Sequence, residues 1–227
     1  MQTCDVLIIG AGIAGSSLAW RLARAGKAVL LLERESQPGM HSTGRSAAMF
    51  MESYVPPGVR ALTRASRDFY LHPPPGFADQ PLLAPRQALF VARPAQHASL
   101  AAMQAELEAT GTQLSLLNKE QLALAAPALK PDLFDQALLD VHGYDIDVNA
   151  MLQGFLRGAR QAGARLLTGA VPTETTRTGD AWRVTLSNGD VVQARTVVDA
   201  AGAWADEVAA LFGAAQSLLN NLYFTPK

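Results

Sequence analysis

The sequence has very little cysteine and very little net charge. Its 227 residues include one cysteine, Cys4, and the formal net charge is -1 at pH 7. One cysteine cannot form an internal disulfide, which suits a reducing cytoplasm, and Cys4 is expected to be a small buried residue. Lys and Arg are scattered along the chain, so the sequence has no electrostatic footprint for nucleic acid or for an anionic membrane.

Long hydrophobic runs are also missing. No stretch approaches the roughly 18 apolar residues of a transmembrane helix. The amino-terminal apolar run has no basic region before it and is interrupted by glycines, so we expect no signal peptide. With 49% hydrophobic and 17% charged residues, the chain can bury the core of one large domain or two small ones. We therefore predict a cytoplasmic globular protein.

Patterns for metal binding and for nucleophilic catalysis are not found either. The histidines show no metal-ligand spacing, so we predict no metal site and expect solvated or structural roles for His41, His72, His97 and His142. Serine and histidine residues form no recognisable nucleophilic constellation.

A buried strand, a glycine turn and a helix open the chain. Residues 6–9 form a short apolar run, and the turn after them contains Gly10, Gly12 and Gly15. From residue 13 the spacing is helical until Gly26, which ends the helix. The face predicted to be buried consists of Leu18, Leu22 and Ala25. A second apolar strand, residues 28–32, then leads to Glu33.

Each glycine has a predicted task. Gly10 makes the turn, Gly12 lets the backbone approach a pyrophosphate, and Gly15 lets the helix pack closely on the strand. Glu33 follows about 20 residues later, where a carboxylate accepts hydrogen bonds from an adenosine ribose and repels a 2′-phosphate, which disfavours NADP. This context predicts a dinucleotide site rather than a structural glycine turn, and by itself leaves FAD and NAD open.

A second candidate segment follows a Pro-Gly turn. Its small and hydroxyl residues could place the backbone against a flat or phosphorylated ligand, with an arginine as a donor fork. The residues concerned are Ser42, Thr43, Gly44, Arg45 and Ser46. The alternative is an ordinary helix cap, since Ser and Thr before two alanines are good N-cap residues.

These stretches together resemble a known family. The residues are GAGIAGSSLAWRLARAGKAVLLLERESQPGMHSTGRSAA, followed by GVRALTRASRDFY, PPGFADQPLLAPR, DIDVNAMLQGFLRGAR and VVDAAGAWADEVAALFG. They resemble the D-amino-acid oxidase and glycine oxidase superfamily of FAD-dependent oxidoreductases and, within it, bacterial D-arginine dehydrogenases. The resemblance covers nearly all of residues 4–213. It implies an α/β fold, with an FAD-binding Rossmann-like domain of the glutathione-reductase type and a partial α+β substrate domain.

The resemblance also implies a cofactor, FAD, and the residues that hold it. The turn would bind the pyrophosphate, Glu33 the ribose, and Arg34 would border the adenine. The loop of residues 42–48 would lie along the ribityl chain and the flavin. The predicted cofactor residues are Gly10, Gly12, Ile13, Ala14, Gly15, Glu33, Arg34, Ser42, Thr43, Gly44, Arg45, Ser46, Ala47, Ala48, Val171, Ala201 and Gly202.

The resemblance and the local patterns together predict a discontinuous domain organisation. Residues 1–55 and 140–215 are assigned to the FAD-binding domain, residues 56–139 to the partial substrate domain, and residues 216–227 to an atypical tail. Helices are predicted at residues 59–70, 98–109, 148–161 and 204–211. Strands are predicted at residues 88–92, 165–167, 182–186, 191–194 and 195–199, with an Asn-Gly hairpin after residue 187.

The predicted substrate residues also come from the resemblance. Tyr54 matches a tyrosine near the substrate of the D-arginine dehydrogenases, while Met49 stands in place of a histidine. Ala88 stands where a glutamate pairs with the guanidinium. Because a buried cation without a counter-ion is costly, a smaller or more apolar D-amino acid, or another secondary amine, is expected.

The family chemistry implied is hydride transfer from the substrate Cα to flavin N5, with oxygen or a quinone as final acceptor. Family members continue well past residue 213, and the tail does not resemble them. We therefore expect a truncated or frameshifted product, or a cassette completed by a second polypeptide. An inactive FAD-binding fragment and an NAD-dependent dehydrogenase are the competing hypotheses.

Overall fold

The computed structural model describes residues 1–54, 56–130 and 132–214. These residues form twelve strands: β1 (Gln2–Ile9), β2 (Val29–Leu32), β3 (Met49–Phe50), β4 (Leu83–Pro85), β5 (Ala88–Ala92), β6 (Ser115–Leu117), β7 (Gln136–Asp140), β8 (Tyr144–Ile146), β9 (Arg165–Leu167), β10 (Pro172–Thr178), β11 (Ala181–Leu186) and β12 (Val191–Asp199). The α-helices in the same residues are α1 (Ile13–Arg24), α2 (Pro57–Leu71), α3 (His97–Ala109), α4 (Lys119–Ala125), α5 (Val148–Gln161) and α6 (Ala205–Leu211). Short 3-10 turns cover Pro94–Gln96 and Gly202–Trp204.

The chain forms two compact units. Among the described residues, unit 1 comprises Met1–Ser46, Pro75–Gln80 and residues 148–214, and unit 2 comprises Ala47–Pro74 and Pro81–Asp147. The assignment of one part of the chain to the cofactor and another to the substrate stays a prediction. The predicted atypical tail, residues 216–227, lies outside the described residues.

Unit 1 is built on a six-stranded sheet in the order β10-β11-β12-β1-β2-β9. The four strands from β12 to β9 run parallel, and β10 and β11 extend the sheet as an antiparallel hairpin. Four core residues of β1 and β2, namely Leu7, Ile9, Leu30 and Leu32, are at most 5% exposed. Near-continuous apolar strands are what a parallel sheet buried on both faces requires, and the predicted α/β fold class is confirmed.

Helix α1 begins at residue 13 as predicted, but the prediction of its buried face was wrong. Its buried residues are Gly15, Ser16, Ala19, Trp20 and Ala23. Of the predicted face, Ala25 is exposed, while Leu18 and Leu22 are only partly buried. Gly15 faces the end of β1 at close range, and Trp20 packs against Phe77 and Phe155, so these tertiary contacts decide which face is buried.

The predicted strands at residues 191–194 and 195–199 are one strand, β12. Val191, Val192, Gln193 and Ala194 pair antiparallel with β11 on one edge. On the other edge, β12 pairs parallel with β1 from Val192 to Asp199. The pattern of apolar residues changes along β12 because the neighbouring strands change. This change in pattern led to the incorrect prediction of two strands. The Asn188-Gly189 hairpin is confirmed by antiparallel pairing and by Gly189 at φ +84°.

The described residues of unit 2 form two antiparallel three-stranded sheets and three α-helices. The sheets have the orders β3-β8-β4 and β5-β7-β6. The predicted helices at residues 59–70 and 98–109 correspond to α2 and α3, and β5 has the predicted bounds. Helix α2 ends at Leu71, before the run of prolines that begins at residue 73, as proline sterics require. The strands β3, β4, β6, β7 and β8 and helix α4 were not predicted.

Candidate functional site

Two glycines, Gly10 in the turn between β1 and α1 and Gly15 in the first turn of α1, are packed too closely for a side chain. Gly10 has φ +104°, and a Cβ there would lie 2.3 Å from the carbonyl oxygen of Ala200. A Cβ on Gly15 would lie 1.9 Å from the carbonyl oxygen of Gly10. Both distances are far below van der Waals contact, so glycine is required at each position. The predicted turn and packing roles of these glycines are confirmed.

The first turn of α1 meets the loop that contains Ser42 and Thr43. The N–H of Ile13 donates to Oγ1 of Thr43 at 3.0 Å, and a Cβ on Gly12 would lie 3.1 Å from the same oxygen. The glycine at position 12 therefore lets the loop approach the helix start. A helix start carries a partial positive charge and N–H donors that suit phosphate.

Glu33 lies immediately after β2 and is only 7% exposed. Its Oε2 accepts from the N–H of Ala11 at 3.2 Å, and its Oε1 accepts from the N–H of Glu35 at 3.0 Å. These two bonds fix the orientation of the carboxylate. Each carboxylate oxygen has a further acceptor position, so the group retains capacity for two hydroxyl donors of a ligand.

The turn after β12 forms an opposite wall. Its geometry is set by two hydrogen bonds: the N–H of Ala200 donates to the backbone carbonyl of Ile9, and the N–H of Ala201 donates to the side-chain Oδ1 of Asp199. Burial, with a contribution from the nearby Asp206 carboxylate, raises the pKa of Asp199 above its usual range. The turn thus ties the end of β12 to the end of β1, where the ligands of open parallel sheets bind.

A pocket of about 410 Å³ lies between these elements, within unit 1. A pocket of this size falls in the range of small-molecule sites. The predicted cofactor residues that line it are Gly10, Gly12, Ile13, Ala14, Glu33, Arg34, Ser42, Thr43, Val171, Ala201 and Gly202. The glycine turn, a carboxylate and a helix start therefore converge on one cavity, as a dinucleotide requires.

Other predicted cofactor residues do not line this pocket. Gly15 packs α1 on the turn, and a Cβ on Gly44 would lie 2.4 Å from the carbonyl oxygen of Gly39, so Gly44 has a packing role in its own loop. Arg45 and Ser46 are exposed, and Ala47 and Ala48 belong to unit 2.

The pocket also contains residues that were not predicted. The most informative are His41 and Trp204, which line it together with Arg34. Trp204 was predicted only as the start of a helix, and His41 only as a solvated or structural residue. The position of Trp204, two residues after the glycine of the β12 turn, was the one indication in the sequence.

The three predicted substrate residues lie in unit 2. The hydroxyl of Tyr54 lies 3.4 Å from the carbonyl oxygen of Met49, to which it donates. Ala88 pairs across the sheet with Asp140, which is 1% exposed and accepts from the hydroxyl of Ser53. Met49 and Tyr54 are therefore in direct contact, whereas Ala88 is linked to Tyr54 through Asp140 and Ser53.

No helix among residues 1–54, 56–130 and 132–214 is long and apolar enough to cross a membrane. In the same part of the chain, no group of three or more His, Cys, Asp or Glu side chains could hold a metal ion.

The family is decided by comparison with known proteins. Residues 5–221 match the family model described as DAO, FAD dependent oxidoreductase. The chain belongs to this family. Its predicted superfamily is confirmed, and FAD is the cofactor of the family.

The similar proteins are longer than this chain. The hydrogen cyanide synthase subunit HcnC of Pseudomonas aeruginosa is 26% identical over 91% of this chain and 60% of its own length. The fold is similar to L-alpha-glycerophosphate oxidase from Mycoplasma pneumoniae with FAD bound, with a TM-score of 0.82, 20% identity, and coverage of 93% of this chain and 57% of that one. Glycine oxidase from Geobacillus kaustophilus gives a TM-score of 0.79 and 21% identity over 94% of this chain and 59% of that chain. The chain therefore spans between half and two thirds of these relatives.

Proposed function

We propose that this protein oxidises the CH–NH bond of a D-amino acid, or of a related small amine acid, to an imine that water hydrolyses to a 2-oxo acid and ammonia. The observation that carries the proposal is the pocket of unit 1 in a chain of this family. When bound, FAD supplies the hydride acceptor, N5 of its flavin ring. Because the chain spans 57 to 60% of the relatives described above, the activity is proposed for the whole protein.

The cofactor roles follow from the geometry of the pocket. The start of α1 and the Thr43 hydroxyl, which already bonds the N–H of Ile13, would hold the pyrophosphate. Glu33, oriented by two backbone donors, would accept from the ribose hydroxyls. The fit rests on features of the chain itself, which are the close backbone approach at Gly12 and the spare acceptor capacity of Glu33.

The substrate class is supported by the similar folds and by unit 2. Solved structures with this fold include NikD, named as an unusual amino acid oxidase, and an L-proline dehydrogenase from P. horikoshii, both of which act on amino acids by name. We assign Met49, Tyr54 and Ala88 to the substrate side. Ala88 has no charge to offer a guanidinium, which disfavours D-arginine and favours smaller or more apolar substrates.

The test is the visible spectrum of the purified protein. A flavin spectrum that bleaches anaerobically with one member of a panel of D-amino acids, glycine, sarcosine and L-proline would establish activity and name the substrate. Bleaching with L-proline alone would refute the D preference. Reoxidation by air or only by a quinone would then identify the electron acceptor.

A second candidate is an FAD-binding unit without turnover, either an inactive fragment or part of a split enzyme. This candidate concerns the given residues alone, which span 57 to 59% of the two solved relatives described above. A flavin that remains oxidised with every substrate in the panel would support this candidate. A protein that binds NAD and not FAD would refute both.

A further inference from the structure

The side chain of Trp204 is held between groups from another segment of the chain. The Arg34 guanidinium carbon lies 4.5 Å from the centroid of the Trp204 ring, and the His41 ring meets Trp204 at 4.5 Å with an interplanar angle of 63°. Trp204 lies just before α6, whereas Arg34 and His41 lie in the loop after β2. The contacts therefore join two separate walls of the pocket.

The loop side of this contact is organised by Glu35. Its Oε1 lies 2.8 Å from Nε2 of His41 and 3.9 Å from Nε of Arg34. The side chains of Arg34, Glu35 and His41 are 34 to 41% exposed, and ion pairs at such exposure contribute little. These ion pairs lie within the loop itself, whereas the aromatic contacts of Trp204 with Arg34 and His41 run from the loop to the turn before α6.

Trp182 offers a comparison within the same unit. Arg177 lies 5.2 Å from its ring centroid, and Phe212 meets its edge at 5.1 Å. Its surroundings are thus chemically like those of Trp204, but Trp182 does not line the pocket. An arginine over a tryptophan is therefore also used in this protein for packing alone.

The location of the Trp204 contact gives it a different role. Arg34 directly follows Glu33, the group oriented for the ribose, and all three residues of the contact line the cavity. We propose that Trp204, Arg34 and His41 form a clasp over the adenosine half of the bound nucleotide. The clasp retains the nucleotide by slowing its release, and Trp204 is its main component. This inference rests on the proposed cofactor site.

The experiment measures ADP and FAD binding to the whole chain. ADP titrated into Trp182→Phe should still change the tryptophan emission, whereas in Trp204→Phe most of that change should be lost. FAD should leave Trp204→Ala about tenfold faster than the parent chain, the change expected from losing one aromatic contact. Release is followed by the recovery of flavin fluorescence.

The outcomes separate the clasp from the cofactor site. A parent chain that binds neither ADP nor FAD overturns both proposals. Normal release from Trp204→Ala, or equally fast release from Trp182→Phe, overturns the clasp alone. If Trp204→Ala does not fold, Arg34→Gln supplies the same test at an exposed position, with faster release expected and unchanged release overturning the clasp.

Discussion

Replacing Gly15 by alanine should distort the cofactor turn. The new Cβ would lie 1.9 Å from the carbonyl oxygen of Gly10 and 3.3 Å from a methyl group of Ile8. The first distance is about 1.5 Å shorter than ordinary contact, and backbone cannot move aside as a flexible side chain would. Overpacking of this kind costs about 3 kcal/mol, while alanine in a helix recovers about 1 kcal/mol over glycine. We expect a net loss of about 2 kcal/mol.

The assay follows urea unfolding by tryptophan fluorescence. Trp20, Trp182 and Trp204, which are all the tryptophans of the chain, belong to unit 1, as does Gly15. The matched control is Gly58→Ala in helix α2, where a Cβ meets nothing within 4 Å. Followed by circular dichroism, it should be unchanged or more stable by up to about 1 kcal/mol. A Gly15→Ala protein with parental stability and ADP affinity would refute the packing argument.

Three further predictions concern other sites. Glu33→Gln replaces one carboxylate oxygen by an amide NH2, so one of the two backbone N–H groups bound by Glu33 would face another donor. We expect the free energy of unfolding in urea to fall by about 1–3 kcal/mol and ADP binding, measured by calorimetry, to weaken. Parental values for both would contradict this. Burial raises the pKa of Cys4 to about 11 from an ordinary 9.0, so the folded state keeps the proton longer than the unfolded state. Stability should therefore be unaffected below pH 9 and fall from about pH 9 to 11, and Cys4→Ala, unfolded at the same pH values, should lose that part of the fall. Ser53→Ala removes a donor to the buried Asp140 carboxylate and should cost about 1–3 kcal/mol; a double-mutant cycle with Asp140→Asn that shows no coupling would contradict the contact.

Where neighbours in sequence are also neighbours in space, the sequence was sufficient for prediction. The strand, glycine turn and helix at the amino terminus were predicted because each depends on a local period or on a residue with special backbone freedom. The same applies to β5, α5 and the hairpin at Asn188. The predicted cofactor residues of the first βαβ segment line one pocket for this reason, apart from Gly15, which packs beneath it.

Prediction from the sequence was less successful where a strand has different partners on its two edges or is very short. β12 was divided because its two edges have different partners, one antiparallel and one parallel. The short strands of unit 2 were missed because three-residue segments such as β4 and β8 have too few residues to show a period.

The sequence by itself determined that this protein has a nucleotide-binding α/β unit with a glycine turn and an acidic residue after the second strand. Only the tertiary structure decided which face of α1 is buried and which residues join the cofactor loop across the pocket. Trp204 lies far along the chain from Arg34 and His41, and no local pattern connects them. The contact forms because parallel pairing of β12 with β1 brings the turn before α6 beside the loop after β2.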